Sequence, residues 1–410
     1  MPHKASHSVD SISSLSSLSS LSSESSVQLY EKRLKPEISA IQNSSATLQE
    51  LVDTATNTVN EVFAVNPKSI FTYKGADGGV SVHLDKVMLA MLAFAGDCGG
   101  ESGQRYVAAA ISSCLKEEDV VGALAGLGIT WLTHLLFVFK ASRGHANQLN
   151  KTPSEVATPT IDVTVTHLME GVGPRQKSFR DDVIKRDGYA CILTGSQDNA
   201  HPKPAEDIPI LRLEAAHILC RGVGRFDKDK ASDSYQSALT TFDILRNFTR
   251  LPARTLEELS AELDHPSNGV TLELNCHVAF DNFYWCLKKT EIEDVYDLEV
   301  LRPQSLPKKP EFSRITFEDR SKNFSDPTRN LRRKHPIDLP NARYIEIHAA
   351  IAGILHMSGA GKFFDELLDN DKEDRDKVSG VRCWPELEKL MEERSLRDSL
   401  TESFQLARVH

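Results

Sequence analysis

The chain reads as an α+β protein with a mostly helical amino-terminal region, a central β-hairpin followed by a helix, and a helical carboxy-terminal extension. Three observations carry that reading. Val82 to Ala95 and Asp119 to Lys140 are dense in apolar side chains at helical spacing, with glycine-rich breaks between them. Leu213 to Leu219 and Val270 to Leu274 are short strand-like apolar runs in the middle of the chain. Ala342 to Met357 is apolar nearly all round, as a buried helix requires.

Bulk composition sets outer bounds. A chain of 410 residues has room for two or three domains, and 40% hydrophobic with 26% charged suits a globular core. The formal net charge of -10 argues against a protein that coats nucleic acid through its overall field, so such contact must come from a local basic patch. Seven scattered cysteines without a Cys-x-x-Cys pair argue against a disulfide scaffold or a four-cysteine zinc ribbon. They fit packed or free thiols in an intracellular setting, cytoplasmic or nuclear. No basic segment followed by an apolar one opens the chain, so secretion is not expected.

In chain order, residues 1–28 form a serine-rich leader with too little apolar surface to offset ordering entropy, and are expected to be disordered. Residues 29–145 are expected to be helical. Within them Val120 to Phe139 contains no Asp, Glu, Lys or Arg. Thr130, Thr133, His134 and the glycines there favour a buried core helix, with a single membrane span over 120–139 as the minor alternative. Residues 146–174 are a polar linker with Thr-Pro pairs at Thr152 and Thr158, and 175–300 hold the central unit. Residues 301–339 form a basic Pro-rich linker carrying Arg329, Arg332, Arg333, Lys334 and His335, read first as solvated, with nucleic acid or an import receptor as the alternative partner. Residues 340–410 are helical with an acidic tail, and their His348 and His356 read as packed or capping histidines.

The central unit opens with a basic helix through Phe179, Val183 and Ile184, stopped by Gly188, ahead of the turn Cys191 to Gly195. Arg175, Lys177, Arg180, Lys185 and Arg186 are its candidate phosphate contacts, which would give affinity without sequence choice; a solvated amphipathic helix explains them equally well. If the hairpin packs on that turn, Cys191 lies near Cys220. Asn268-Gly269 reads as a turn, and Cys276 to Lys288 as a helix on which His277 and Asp281 share one face. Two ligands so spaced can hold one ion. The long interval between His217 and Asn268 contains a helical stretch, Thr255 to Leu263, and reads as an inserted subdomain.

Hydrolysis of a phosphodiester needs an activated water, stabilisation of developing charge, and fixed placement of the parts. A neutral imidazole can supply the first, and a divalent metal the second. The stretch from about Phe179 to Leu287 resembles the HNH endonuclease family with the ββα-metal fold. The resemblance rests on Arg186-Asp187-Gly188-Tyr189-Ala190-Cys191, on Cys191 to Gly195, on Ala215 to Ile218, on the Asn-x8-His spacing, and on His277 to Asp281. It is similar to the variety found in fungal HNH nuclease domain-containing proteins. The resemblance implies His217 as general base, Asn268 as the residue orienting it, His277 as metal ligand, DNA as partner, and Mg2+, Mn2+ or Zn2+ as cofactor. One departure is Ala216, where many HNH enzymes carry an acidic or histidine ligand. Asp281, one helical turn from His277, is the first candidate to complete the site, and Glu214 the second. Without competent ligation the same fold would be a non-catalytic nucleic-acid-binding or scaffold protein.

Overall fold

The computed structural model describes residues 23–75, 78–141, 177–224, 226, 229–306, 313–324, 336–369, 383–389 and 391. The linker 146–174, Arg175 and the basic cluster at Arg329 to Lys334 lie outside the described residues, as does most of the serine-rich leader. The first helix begins inside that leader: α1 (Ser23–Leu29) runs through Tyr30–Leu34 into α2 (Lys35–Gln42). Ser26, Tyr30 and Leu34 are buried, so packing against the next helices orders a stretch whose composition suggested disorder.

α3 (Leu48–Asn57) starts at a reciprocal cap in which Thr47 and Glu50 each accept the other's backbone N–H. A hairpin that periodicity had not shown follows, β1 (Ile70–Gly75) and β2 (Gly78–His83), paired antiparallel. Its alternation is confined to Phe71, Tyr73, Val80 and Val82, too short a signal beside the long helices. α4 (Leu84–Ser113) is kinked where Gly100 adopts φ 61°, the expected glycine-rich break. α5 (Val120–Trp131) continues through Leu132–Leu136 into α6 (Phe137–Ala141). That apolar helix has the length and composition of a membrane span, yet 83% of its most apolar window is buried inside the protein, as a core helix would be.

The central unit consists of α7 (Lys177–Arg186), the two-residue strands β3 (Gln197–Asp198) and β4 (Ile210–Leu211), β5 (Glu214–His217), α8 (Asp233–Phe248), α9 (Leu256–Glu262), β6 (Gly269–Leu272) and α10 (Leu274–Asp281). The expected helix over Cys276 to Lys288 stops at Asp281. Phe283 takes φ 61°, and Trp285–Lys289 becomes β7, pairing with β8 (Val295–Val300), which pairs with β9 (Arg314–Thr316). Tyr284, Trp285 and Leu287 suit a half-buried strand better than a helix, and Trp285 is fully buried with its indole N–H on the Cys276 carbonyl at 3.1 Å. β9 falls in what composition marked as linker.

α11 (Ala342–Ser358) and α12 (Ala360–Asp369) complete the fold. α11 packs on α4 and β7, and Trp384 meets Phe137 and Tyr73 edge to face. The carboxy-terminal helices therefore share one continuous apolar core with the amino-terminal ones.

Two histidines are buried in that core in neutral form. His134 bonds Ser237 at 3.0 Å, and His348 stacks on Phe280 with ring centroids 3.8 Å apart; His356, by contrast, is exposed. Burial pushes His134 down to about 4 and His348 down to about 3. An unfolded histidine titrates near 6.5, so between that pH and these lower values the unfolded chain binds more protons and stability falls as pH falls. Chemical denaturation at pH 7 and pH 4.5 should show a loss on the order of 2 kcal/mol or more per histidine. His348→Leu should flatten that dependence; an unchanged slope would remove this histidine from the account.

Candidate active site

β5 and β6 run antiparallel with Glu214 opposite Leu272 and His217 opposite Gly269, and α10 follows after Glu273. Alternation along β5 sends Ala215 and His217 to one face, Glu214 and Ala216 to the other. The first face lies under α7: Ala215 packs with Phe179 and Val183. Phe179 stacks on the His217 ring, centroids 4.3 Å and planes 11° apart. Gly269 is extended, not a turn (φ -132°). A Cβ there would come within 2.6 Å of Val183 and 2.8 Å of Phe179, so glycine is needed for the close approach of α7.

The His217 ring is held by a residue that sequence reasoning missed. Its Nε2 lies 2.9 Å from Asp264 Oδ1, and Arg221 reaches the other carboxylate oxygen at 3.1 Å. With the proton on Nε2 donated to Asp264, Nδ1 becomes the basic nitrogen. The signal was Asp264 itself, standing in Asp-His-Pro-Ser directly ahead of Asn268; its pairing with His217 depends on where the inserted helices return the chain.

Asn268 has another task than orienting that ring. Its Oδ1 accepts the Leu219 N–H at 2.8 Å, and its Nδ2 donates to the carbonyls of Leu219 at 3.0 Å and Leu263 at 2.9 Å. Both amide protons are engaged with backbone, so Asn268 fixes the chain leaving β5 against the chain entering β6.

The second face carries the other histidine. His277 projects from α10, its Nδ1 2.6 Å from Glu214 Oε2 and its Nε2 3.3 Å from Asp281 Oδ2. The histidine is nearly buried, while the Glu214 and Asp281 side chains stay 33% and 28% exposed, so the cluster opens to water through its acids. His277 and Asp281 were expected together, and they are. Among the described residues no three His, Cys, Asp or Glu side chains form a ready-made metal site. The donor chemistry nonetheless fits an ion held by two protein ligands. A carboxylate on one ring nitrogen is the usual outer support of a ligating histidine, and Glu214 supplies it. His277 Nε2 and Asp281 Oδ2, 3.3 Å apart, are the atoms that would hold the ion. Glu214 also shares the strand face of Ala216, where the missing ligand would stand.

Two residues of the basic run, Arg186 and Arg180, are committed to the fold. Arg186 is fully buried and clamps Asp187 together with the carbonyls of Pro266, Asp338 and Gly269, so it is no phosphate contact. Arg180 donates to Leu213 O at 2.9 Å and pairs with buried Asp198 at 3.3 Å. Lys185 is half-buried, and the Lys177 side chain, like Arg175, lies outside the described residues. The Cys220 thiol points to the Val138 carbonyl, and the Cys191 sulfur accepts the Glu273 N–H.

Residues 191–288, from the Cys191 turn through β7, match the family model described as HNH endonuclease. The chain thus carries an HNH endonuclease domain, in which β5, β6 and α10 supply the β-hairpin and helix. No curated protein and no solved structure matches the chain.

Asn268→Ala would strand two buried carbonyls and one N–H. Urea denaturation should report a loss of about 2–4 kcal/mol, with Asn268→Asp intermediate. A loss below about 0.5 kcal/mol would contradict the role assigned to the amide.

Proposed function

We propose that this protein is a metal-dependent endonuclease that hydrolyses phosphodiester bonds of DNA. The observation that carries the reading is the His217–Asp264 pair at the end of β5, inside a segment that matches HNH endonucleases. In this reading His217 takes a proton from water through Nδ1, and Asp264 stabilises the imidazolium that results. Phe179 fixes the ring plane. Glu214 sets the His277 ring so that Nε2 faces the same point as Asp281. A divalent cation such as Mg2+, Mn2+ or Zn2+ bound by His277 and Asp281 would supply charge stabilisation at the phosphate. Glu214 and His217 are three residues apart on one strand, roughly 10 Å along the chain, within the span of a phosphodiester and its neighbours.

One set of observations favours a second reading, a non-catalytic HNH-fold protein that binds nucleic acid or serves as a scaffold. Ala216 offers no ligand, and His217 and the His277 cluster lie on opposite faces of β5. Two measurements separate the readings. Supercoiled plasmid incubated with the protein and each of the three metals should be nicked, and His217→Ala should lower the rate by about 10²-fold or more. Equal cleavage by wild type and variant ends the nuclease proposal. Calorimetric titration with Mn2+ should show binding that His277→Ala removes; absence of binding in the wild type, with plasmid left intact, selects the scaffold.

Asp264→Asn should reduce kcat with little change in KM and shift the acidic limb of the pH–rate profile, because the amide supports the ring without stabilising its charge. A change confined to KM would show that Asp264 serves substrate binding instead.

A further inference from the structure

Cys191 and Cys276 come from distant parts of the sequence and meet beside Glu273. Cys191 opens the turn to Gly195, which is closed by Gly195 N–H on the Cys191 carbonyl at 2.9 Å and held to β6 by Ile192 N–H on Thr271 O at 3.1 Å. Cys276 sits in the first turn of α10. The Cys191 sulfur accepts the Glu273 N–H at 3.4 Å and the Cys276 thiol points to Glu273 Oε1 at 3.6 Å, so both sulfurs sit against the same residue. The second Glu273 oxygen accepts from Thr194 at 3.2 Å and Ser196 at 3.5 Å. None of these groups has a part in the phosphodiester chemistry.

We propose that Cys191 and Cys276 are a redox modification site, oxidised by a peroxide to a reversible disulfide that joins the Cys191 turn to the first turn of α10. The pairing does not depend on whether the domain cleaves DNA. The Cys191 sulfur attacks one peroxide oxygen, an S–O bond forms as the O–O bond breaks, and the departing oxygen takes a proton to leave as water or an alcohol. Cys191 is then a sulfenic acid. The Cys276 sulfur attacks it, giving its proton to the adjacent Glu273 carboxylate; the S–S bond forms, the S–O bond breaks, and hydroxide leaves and is protonated to water. Two thiols and one peroxide thus become one disulfide, with two electrons passed to the peroxide.

Selectivity for this pair over Cys98, Cys114, Cys220 and Cys286 follows from their surroundings. The neighbouring Cys276 side chain and the Glu273 N–H on its own sulfur hold Cys191 below the ordinary thiol range. Burial pushes Cys98 and Cys286 up to about 12 and raises Cys114 as well. Cys220 is the more exposed thiol but is engaged with the Val138 carbonyl. Reactivity follows thiolate character as well as access, so a small oxidant is expected to act at Cys191 first even though it is buried.

The test treats the full chain with graded hydrogen peroxide, blocks remaining thiols, and maps peptides by mass spectrometry without reduction. A Cys191–Cys276 cross-linked peptide that dithiothreitol removes is expected, together with a higher Tm for the oxidised protein. In Cys276→Ser the link should be absent and Cys191 should be trapped by dimedone as sulfenic acid. Oxidation confined to Cys220, or no cross-link before global unfolding, overturns the proposal. If the serine variant does not fold, the wild-type map alone decides, because it reports which sulfurs are joined.

Discussion

The arrangement rests on one buried ion pair. Arg186 and Asp187 close α7, and between them they hold two other segments, residues 266–271 and the chain at Asp338. The Arg186 guanidinium donates to the carbonyls of Pro266 and Gly269 on the way into β6 and to that of Asp338 ahead of α11. Asp187 accepts the Thr271 N–H inside β6 at 2.9 Å. A planar fork with five donors is suited to bridging several carbonyls at once, which a lysine at the same place would not do. Burying such a charge is tolerable only because every neighbour satisfies it. Once α7 is pinned to β6, Phe179 must lie across the strand pair, and the only residue that leaves space for it opposite His217 is Gly269.

The site inherits this geometry. A strand presents alternate side chains to alternate faces, so a base at 217 and a ligand at 216 would approach from two sides of β5. With Ala216 apolar, the acidic side chain that β5 offers to the α10 face is Glu214, two residues earlier and on the same side. Its 2.6 Å contact with His277 makes it a support of the ligand in the structure as it stands. Each histidine consequently meets carboxylates on its own face of β5, Asp264 at His217 and Glu214 with Asp281 at His277.

The sequence made the long helices, the hairpin order and the His277–Asp281 pair legible, because these depend on spacing over a few residues. What it concealed depends on where distant segments return. Asp264 reaches His217 only because α8 and α9 bring the chain back to the hairpin, and nothing local marks that meeting. The Asn268 amide was mistaken for a ring partner since an Asn-Gly pair says nothing of which carbonyls stand opposite. Arg186 carries the same charge as its neighbours in the basic run, and only burial tells a clamp from a phosphate contact. The β1–β2 hairpin and β7 were hidden by neighbouring stretches with stronger helical signals.

The insertion ties the base to the helical region. α8 ends against α4 at two glycines: a Cβ at Gly99 or Gly103 would stand 2.2 or 2.4 Å from the Phe248 carbonyl. Arg250 N–H then bonds the Cys98 carbonyl at 3.0 Å, and Thr241 donates to the His134 carbonyl while Ser237 meets its ring. These contacts fix α8, and through α9, whose Leu256 and Leu259 are buried together with Leu263 just after it, they fix the segment that carries Asp264. The amino-terminal helices therefore set the position of the carboxylate on His217 without touching it. A compact hairpin could not do this, since its turn would place no side chain from another core beside the imidazole. The long interval between His217 and Asn268 is thus the mechanical link through which packing far from β5 places Asp264 against the His217 ring.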